Sequence, residues 1–180
     1  MNEVHGVVPT SMPQWSQTLR DGSQVRIRPI ASADRESERA FIAGLSDESR
    51  RHRFLGQISA PSERMLDCLV NIDPIHDAAL VAVTCEADAE RIVGAARFSS
   101  DPDAVNCECA VVVADQWQGQ GLGTALMRHL IDIARARGIE RMYSVDMAEN
   151  ADMRELAMYL GFRVRAEPGD ASLVVYELPL

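Results

Sequence analysis

Apolar residues change their spacing twice along the chain. "SQVRIRPI" loosely alternates Val25, Ile27 and Ile30, which predicts a first strand closed by Pro29. From residue 32 to about residue 70 the apolar positions recur at helical intervals. "SADRESERAFIAGL" carries Ala40, Phe41 and Leu45 at that spacing, with Ser32 as candidate N-cap. "DESRRHRF" and "SERMLDCLV" predict two further short helices, the second with Met65, Leu66, Leu69 and Val70 apolar. The pattern then shortens. "AALVAVTC", "RIVGAARFS" and "CECAVVVA" are brief apolar runs separated by "EADAE" and "SDPDAVN". No helix fits between them, so they predict successive antiparallel strands joined by hairpins.

The helical period returns in "LGTALMRHLIDIARARG". Leu122, Leu126, Leu130 and Ile133 form one stripe, Arg135 and Arg137 fall in the last turn, and Gly138 stands at the C′ position. "RMYSVDM" predicts a strand and "NADMRELAMYLG" a helix capped by Asn150 and ended by Gly161. "FRVRAE" and "SLVVYEL" predict a final strand pair. The fold class is α/β, more narrowly an α+β mixed sheet: antiparallel strands, then a strand–helix–strand crossover, then a C-terminal hairpin. Residues 1–15 lack periodicity and read as a flexible tail, and residues 16–180 read as one domain.

Composition narrows the partners. The chain has 180 residues, of which 47% are apolar, enough for a full core. With 18 basic and 27 acidic residues the net charge is −9, which argues against a nucleic-acid surface and against anionic lipid. Cys68, Cys85, Cys107 and Cys109 show no metal spacing and read as buried free thiols, with Cys107 and Cys109 on one strand face. No metal is expected. The N-terminus lacks the charged and apolar regions of a signal peptide, and no run approaches the ~18 residues of a membrane span. A cytoplasmic protein is expected.

The chemistry centres on "VVVADQWQGQGLGTAL", residues 111–126, where Gly119, Gly121 and Gly123 stand between a strand and a helix. Such a junction offers free backbone N–H groups to a phosphate. A Walker A loop needs Gly-Lys-Ser/Thr, and there is no lysine here. A dinucleotide fingerprint counted from Gly119 ends on Thr124, and counted from Gly121 on Leu126, so both registers fail. Asp146 lies where a ribose-binding acid would, but the strands upstream are joined by hairpins rather than helices.

What remains is Gln-x-x-Gly-x-Gly, carried by Gln118, Gly121 and Gly123. This resembles the pyrophosphate loop of the GNAT superfamily of acyl-CoA-dependent N-acyltransferases, Arg/Gln-x-x-Gly-x-Gly/Ala. The resemblance covers about residues 24–178. It implies acetyl-CoA as cosubstrate, bound by Gln118, Gly119, Gln120, Gly121, Leu122, Gly123 and Thr124. It further implies that the strand before the loop splays from its parallel neighbour. The pantetheine arm would then pair with Val111, Val112 and Val113, close to Asn150. "LRDGSQVRIRPIASADRESERAFIAGLSDESRRHRFLG" is similar to the opening of the acetyltransferase domain of bacterial protein lysine acetyltransferases. A protein lysine is therefore the expected amine acceptor. A small amine (polyamine, amino acid or aminoglycoside) and a non-catalytic acyl-CoA-binding module are the alternatives. The oligomeric state is left open, a homodimer included.

Acylation of an amine requires loss of a proton from an ammonium near pKa ~10.4. Glu108, in "NCECAVVV", is the expected general base, as the matching glutamate is in the family. Cys107 and Cys109 point to the opposite face and Ala110 shares its own, and a carboxylate amid such small apolar residues is expected to have a raised pKa. Glu86, Asp146, Asp101 and Asp103 are other carboxylates, the last two in a turn signal. The family's general-acid tyrosine position is Ala157, and Tyr159 is two residues away. His129 reads as solvated on the polar face of the long helix. Arg50, Arg51 and Arg53 read as a solvated helix face, with a contact to substrate or to the 3′-phosphate of coenzyme A as the alternative.

Overall fold

The computed structural model describes residues 13–86 and 89–180; the expected tail lies outside them up to residue 12, as does the side chain of Glu86. Eight strands form one mixed sheet: β1 (Trp15–Thr18), β2 (Gln24–Pro29), β3 (Asp77–Glu86), β4 (Ala89–Ser100), β5 (Asn106–Val113), β6 (Arg141–Met147), β7 (Arg163–Glu167) and β8 (Asp170–Pro179). Their order is β1-β2-β3-β4-β5-β6-β8-β7. The pairs are antiparallel except β5 with β6, which the crossover helix makes parallel. The helices are α1 (Arg35–Gly44), α2 (Asp47–Phe54), α3 (Glu63–Val70), α4 (Leu122–Ala136) and α5 (Ala151–Tyr159).

The continuous apolar run of β3 has a direct cause: both sheet faces are covered. Ala78, Leu80 and Ala82 turn toward the core beneath α4 and α5, where Leu122, Leu126, Leu130 and Ala157 pack. Ala79, Val81 and Val83 turn toward the core beneath α1 and α3, with Phe41, Ile42, Leu66 and Leu69. A strand buried on both sides cannot show polar alternation.

Three sequence expectations change. Helix α1 starts at Arg35 after a 3-10 turn over Ser32–Asp34, so Ser32 is not its cap. The carboxylate of Asp34 instead accepts two bonds from Arg28 (2.7 and 2.8 Å) and one from the Ala31 N–H (2.8 Å). The Arg28 bonds foremost hold Asp34 below the usual carboxylate range, against the cost of burial. Strand β1 was not foreseen, and it begins at Trp15, inside the segment expected to be a tail. Its pairing with β2 runs from Trp15↔Ile27 to Thr18↔Gln24. His129 is not solvated: its ring stacks on Trp15 with centroids 4.1 Å apart. Among the described residues no helix is long and apolar enough to cross a membrane.

Burial holds His129 below the ordinary imidazole value, with Asp132 opposing it. The unfolded chain therefore binds that proton more readily, and stability falls as pH drops from about 6.5 through the folded pKa. Trp15→Ala is expected to cost about 2 kcal/mol in urea unfolding and to return the His129 titration toward ~6.5. An NMR titration that does not move would show that Trp15 is not what shields the ring.

Candidate functional site

The site begins where two strands separate. β5 and β6 pair at Asn106↔Arg141, Cys107↔Met142 and Glu108↔Tyr143, and no further pair joins them among the described residues. Both strands continue. β5 stays on β4 through Ala96↔Val111, Ala95↔Val112 and Gly94↔Val113, while β6 stays on β8 as far as Met147↔Leu173. The edge of β5 facing β6 is thus free of strand pairing at Val111–Val113. A cleft of about 820 Å³ opens there, lined by Val111–Val113, the glycine loop, Asp146, Asn150 and one wall of α5.

The loop closes one end of the cleft. Gly119 and Gly121 adopt φ +70° and +90°, and Gly121 is the residue from which α4 starts. A side chain at either would be strained, so the turn into the helix depends on glycine. Gly123 is different. A Cβ there would meet Leu156 at 3.4 Å and Val113 at 3.8 Å, ordinary van der Waals contact, so neither backbone conformation nor protein packing demands glycine at this position. The first helical bond runs from the Ala125 N–H to the Gly121 carbonyl (3.1 Å). The N–H groups of Leu122, Gly123 and Thr124 are left without intrahelical partners at the positive end of a 15-residue helix. Gly119, Gly121, Leu122, Gly123 and Thr124 line the cleft; Gln120 does not.

Gln118 holds the loop in place. Its amide donates to the Val113 carbonyl (3.0 Å) and to Ser49 Oγ (3.2 Å), and its own N–H goes to Asp115 (3.3 Å). One carbonyl of the free β5 edge is therefore already occupied. Asp115, which the sequence reading did not single out, ties the root of the loop to α2. Its carboxylate accepts from Ser46 N–H (2.9 Å), Ser46 Oγ (2.6 Å) and Ser49 Oγ (2.8 Å). Burial pushes its pKa up, and the serine bonds outweigh that and hold it below the usual range. Asn150 caps α5 by accepting the Met153 N–H (3.1 Å), and it donates to Asp146 (3.1 Å).

Glu108 sits at the last β5–β6 pair, on the face opposite Cys107 and Cys109. Cys107 and Cys109 point away from it as expected, but it is exposed, so the small apolar surroundings expected on its own face do not enclose it. Glu108 lines a second chamber of about 250 Å³ with Ala110, Asp77, Ser99, Arg97 and Arg53. Arg53 lines both chambers. Asp146 is the buried carboxylate of the cleft; burial raises its pKa, against bonds from Asn150 and the Met147 N–H and the charges of His52 and Arg53. Asp101 and Asp103 are turn residues, accepting from Asn106 (3.1 Å) and from the Val105 N–H (3.2 Å).

The arginine cluster is not a solvated face. Arg50 donates to the carbonyls of Ala43 (3.1 Å) and Leu45 (2.6 Å). Arg51 pairs with Glu149 across the mouth of the cleft. Burial, with Arg97 nearby, lowers Arg53 to about 10. A charge cluster at the C-terminus of a short polar helix carries no periodic signal of burial, which is why the sequence misled. Ala157 is buried under the sheet. Tyr159 lies on the cleft rim, where its hydroxyl is 3.2 Å from Arg128 Nη2, which donates to it. Cys107 and Cys109 are buried free thiols, whereas Cys68 and Cys85 are exposed, contrary to expectation. Burial pushes Cys107 up to about 12. Among the described residues no cluster of side chains could hold a metal ion.

The comparisons with known proteins agree with this geometry. Residues 33–162 match the Acetyltransferase (GNAT) family. The chain is 46% identical over 166 residues to Acetyltransferase PA5475 of Pseudomonas aeruginosa, covering 92% of this chain and 89% of that one. It superposes on the GNAT domain of S. lividans PAT with a TM-score of 0.84 at 27% identity, covering 93% of this chain and 97% of that one. It shares the fold of an acetyltransferase of Salmonella typhimurium solved with its cofactor acetyl-CoA, at a TM-score of 0.65 and 24% identity over 87% of this chain and 94% of that one. A splayed parallel strand pair, a glycine loop opening a helix and a matching family model lead to one assignment: the chain belongs to the GNAT family and is an acyl-CoA-dependent N-acetyltransferase.

Proposed function

We propose that the protein moves an acetyl group from acetyl-CoA to the side-chain amine of a protein lysine, by direct attack with Glu108 as general base. The observation that carries the reading is the free edge of β5 leading into the glycine loop. The pantetheine amides of acetyl-CoA extend along the Val111–Val113 edge, and the pyrophosphate rests on the N–H groups of Gly119 to Thr124. The first-turn N–H groups and helix dipole suit an anion.

The acceptor enters from the second chamber, which meets the cofactor cleft at Arg53. Glu108 takes the proton from the ammonium there. The neutral nitrogen attacks the thioester carbon, and an N–H of Val111–Val113 polarises the carbonyl oxygen as it becomes negative. The tetrahedral intermediate, still carrying an extra proton on nitrogen, collapses with cleavage of the C–S bond, and that second proton passes to water or to the departing sulfur to leave the neutral amide. The coenzyme A thiol, near ~8.5 by analogy with cysteine, leaves as the thiolate without a tyrosine acid. The opening that is similar to bacterial protein lysine acetyltransferases, residues 19–56, supports a protein lysine. The net charge of −9 suits a cationic acceptor segment. An acceptor screen that follows free thiol release tests this. Release with lysine proteins supports it, whereas release with small amines alone moves the acceptor to that class. No release with any amine leaves acyl-CoA binding without transfer.

Asp146 is the competing base, favoured by its burial beside the cofactor. Glu108→Gln is expected to lower kcat about 10²–10⁴-fold with acetyl-CoA affinity unchanged. Asp146→Asn, which keeps the shape and the Asn150 contact, should lower kcat far less. The reverse ranking would transfer the role to Asp146. Gly121→Ala puts a Cβ on a residue at φ +90°. It should weaken coenzyme A binding about tenfold in calorimetry, with the core intact by circular dichroism. Unchanged affinity would remove the loop from the cofactor site.

A further inference from the structure

We propose that Arg20 is a ligand for the cofactor's pyrophosphate, so that the turn between β1 and β2 is part of the cofactor site. The proposal rests on the acetyl-CoA reading above. The turn reads Leu19-Arg20-Asp21-Gly22-Ser23, and its own bonds fix it. The Leu19 N–H donates to the Ser23 carbonyl (2.8 Å), and the Gly22 N–H to the Leu19 carbonyl (3.0 Å). Asp21 is occupied locally: its carboxylate accepts from the Ser23 N–H (2.9 Å) and Oγ (2.6 Å). Leu19 is buried in the core. A rigid turn therefore carries an exposed arginine.

This turn is docked on the glycine loop, a hundred residues away in sequence. The Arg20 N–H donates to the Gln120 carbonyl (3.1 Å), and Nη1 to the Gly119 carbonyl (3.3 Å). Nε lies 3.9 Å from the position a Cβ on Gly121 would take. The guanidinium thus rests on the residues that turn the chain into α4, and it lines the same cleft.

A cation at that point offsets the acidic lining of the cleft. Its other lining residues include Glu48, Asp115, Asp146, Glu149, Asp152 and Glu155. A bridging pyrophosphate carries two negative charges, whereas a helix N-terminus supplies only about half a positive charge. Arg53, the other arginine of the cleft, lies at the junction with the second chamber. Among the described residues Arg28, Arg35, Arg39 and Arg51 are held in ion pairs, and Arg20 has no carboxylate partner. Of the five guanidinium N–H groups one bonds Gly119, so donors remain for phosphate oxygens.

The test is calorimetric titration of coenzyme A and of 3′-dephospho-coenzyme A into wild type, Arg20→Gln and Arg20→Lys across a salt series. Gln keeps a donor for the Gly119 carbonyl but removes the charge. Arg20→Gln is expected to weaken both ligands about tenfold at low salt. Arg20→Lys should recover part of the loss, and the wild-type advantage should shrink toward 1 M salt as the charge is screened. A clamp that only held the loop would give a loss independent of salt. That result, or equal affinity of Arg20→Gln and wild type, overturns the assignment. A loss confined to coenzyme A also overturns it, by moving the contact to the 3′-phosphate. Wild type that binds neither ligand overturns the acetyl-CoA reading itself, a distinct outcome.

Discussion

The parting of β5 from β6 after Glu108 and Tyr143 is the constraint on which the rest depends. Backbone N–H and C=O groups in the middle of a sheet are normally paired, and leaving them bare is costly. Here each strand keeps its outer partner, β4 for β5 and β8 for β6, so the wedge is anchored on both flanks. The bare groups face a cleft open to water and to a ligand with amides of its own. Everything near the wedge keeps it open. Gln118 spans from the loop to the Val113 carbonyl, Asp115 fastens the loop root to α2, and Arg51 meets Glu149 across the mouth.

The features that were legible in sequence were local or periodic. The apolar runs of β3, β4 and β5, the stripe of α4 and the glycine pattern each depend on a few neighbouring residues, so spacing alone located them. Asn150 was read as a cap for the same reason, and it does accept the Met153 N–H. The misread features depend on residues far apart. Trp15 has no periodic company in the N-terminal segment; its strand exists because β2 is beside it and His129 beneath it. Arg53 looks like any surface arginine until the sheet places it between two chambers. Glu108 shows the limit most plainly. The alternation that sends Cys107 and Cys109 into the opposite core was legible, but what covers the other face depends on elements distant in sequence, and Glu108 is left exposed.

Charge placement then carries more information than the net charge. On the face of α1 and α2 a buried Glu38 lies within the electrostatic reach of Arg97 and Arg53. Burial raises its pKa, and the two arginines pull it back. Arg97 is tied to the Leu69 carbonyl (2.8 Å), so this cluster is fixed by packing rather than by surface ion pairs. Its last member, Arg53, also feels Asp146 and Glu108, the two carboxylates that could take a proton from an acceptor.

That position has a chemical consequence. A fixed guanidinium near an incoming amine disfavours the ammonium form, because like charges raise its cost. It also favours the ionised form of a neighbouring carboxylate, the form that can act as a base. Both effects push the proton from amine to carboxylate before attack. Arg53 needs no contact with the reacting atoms for this. A half-buried cation is only partly screened by water and acts over several ångströms. The acidic chain therefore lines the cleft with Arg20 at the glycine loop and Arg53 where the second chamber adjoins, together with several carboxylates, and on the proposed reading the first arginine meets the pyrophosphate and the second stands at the thioester end.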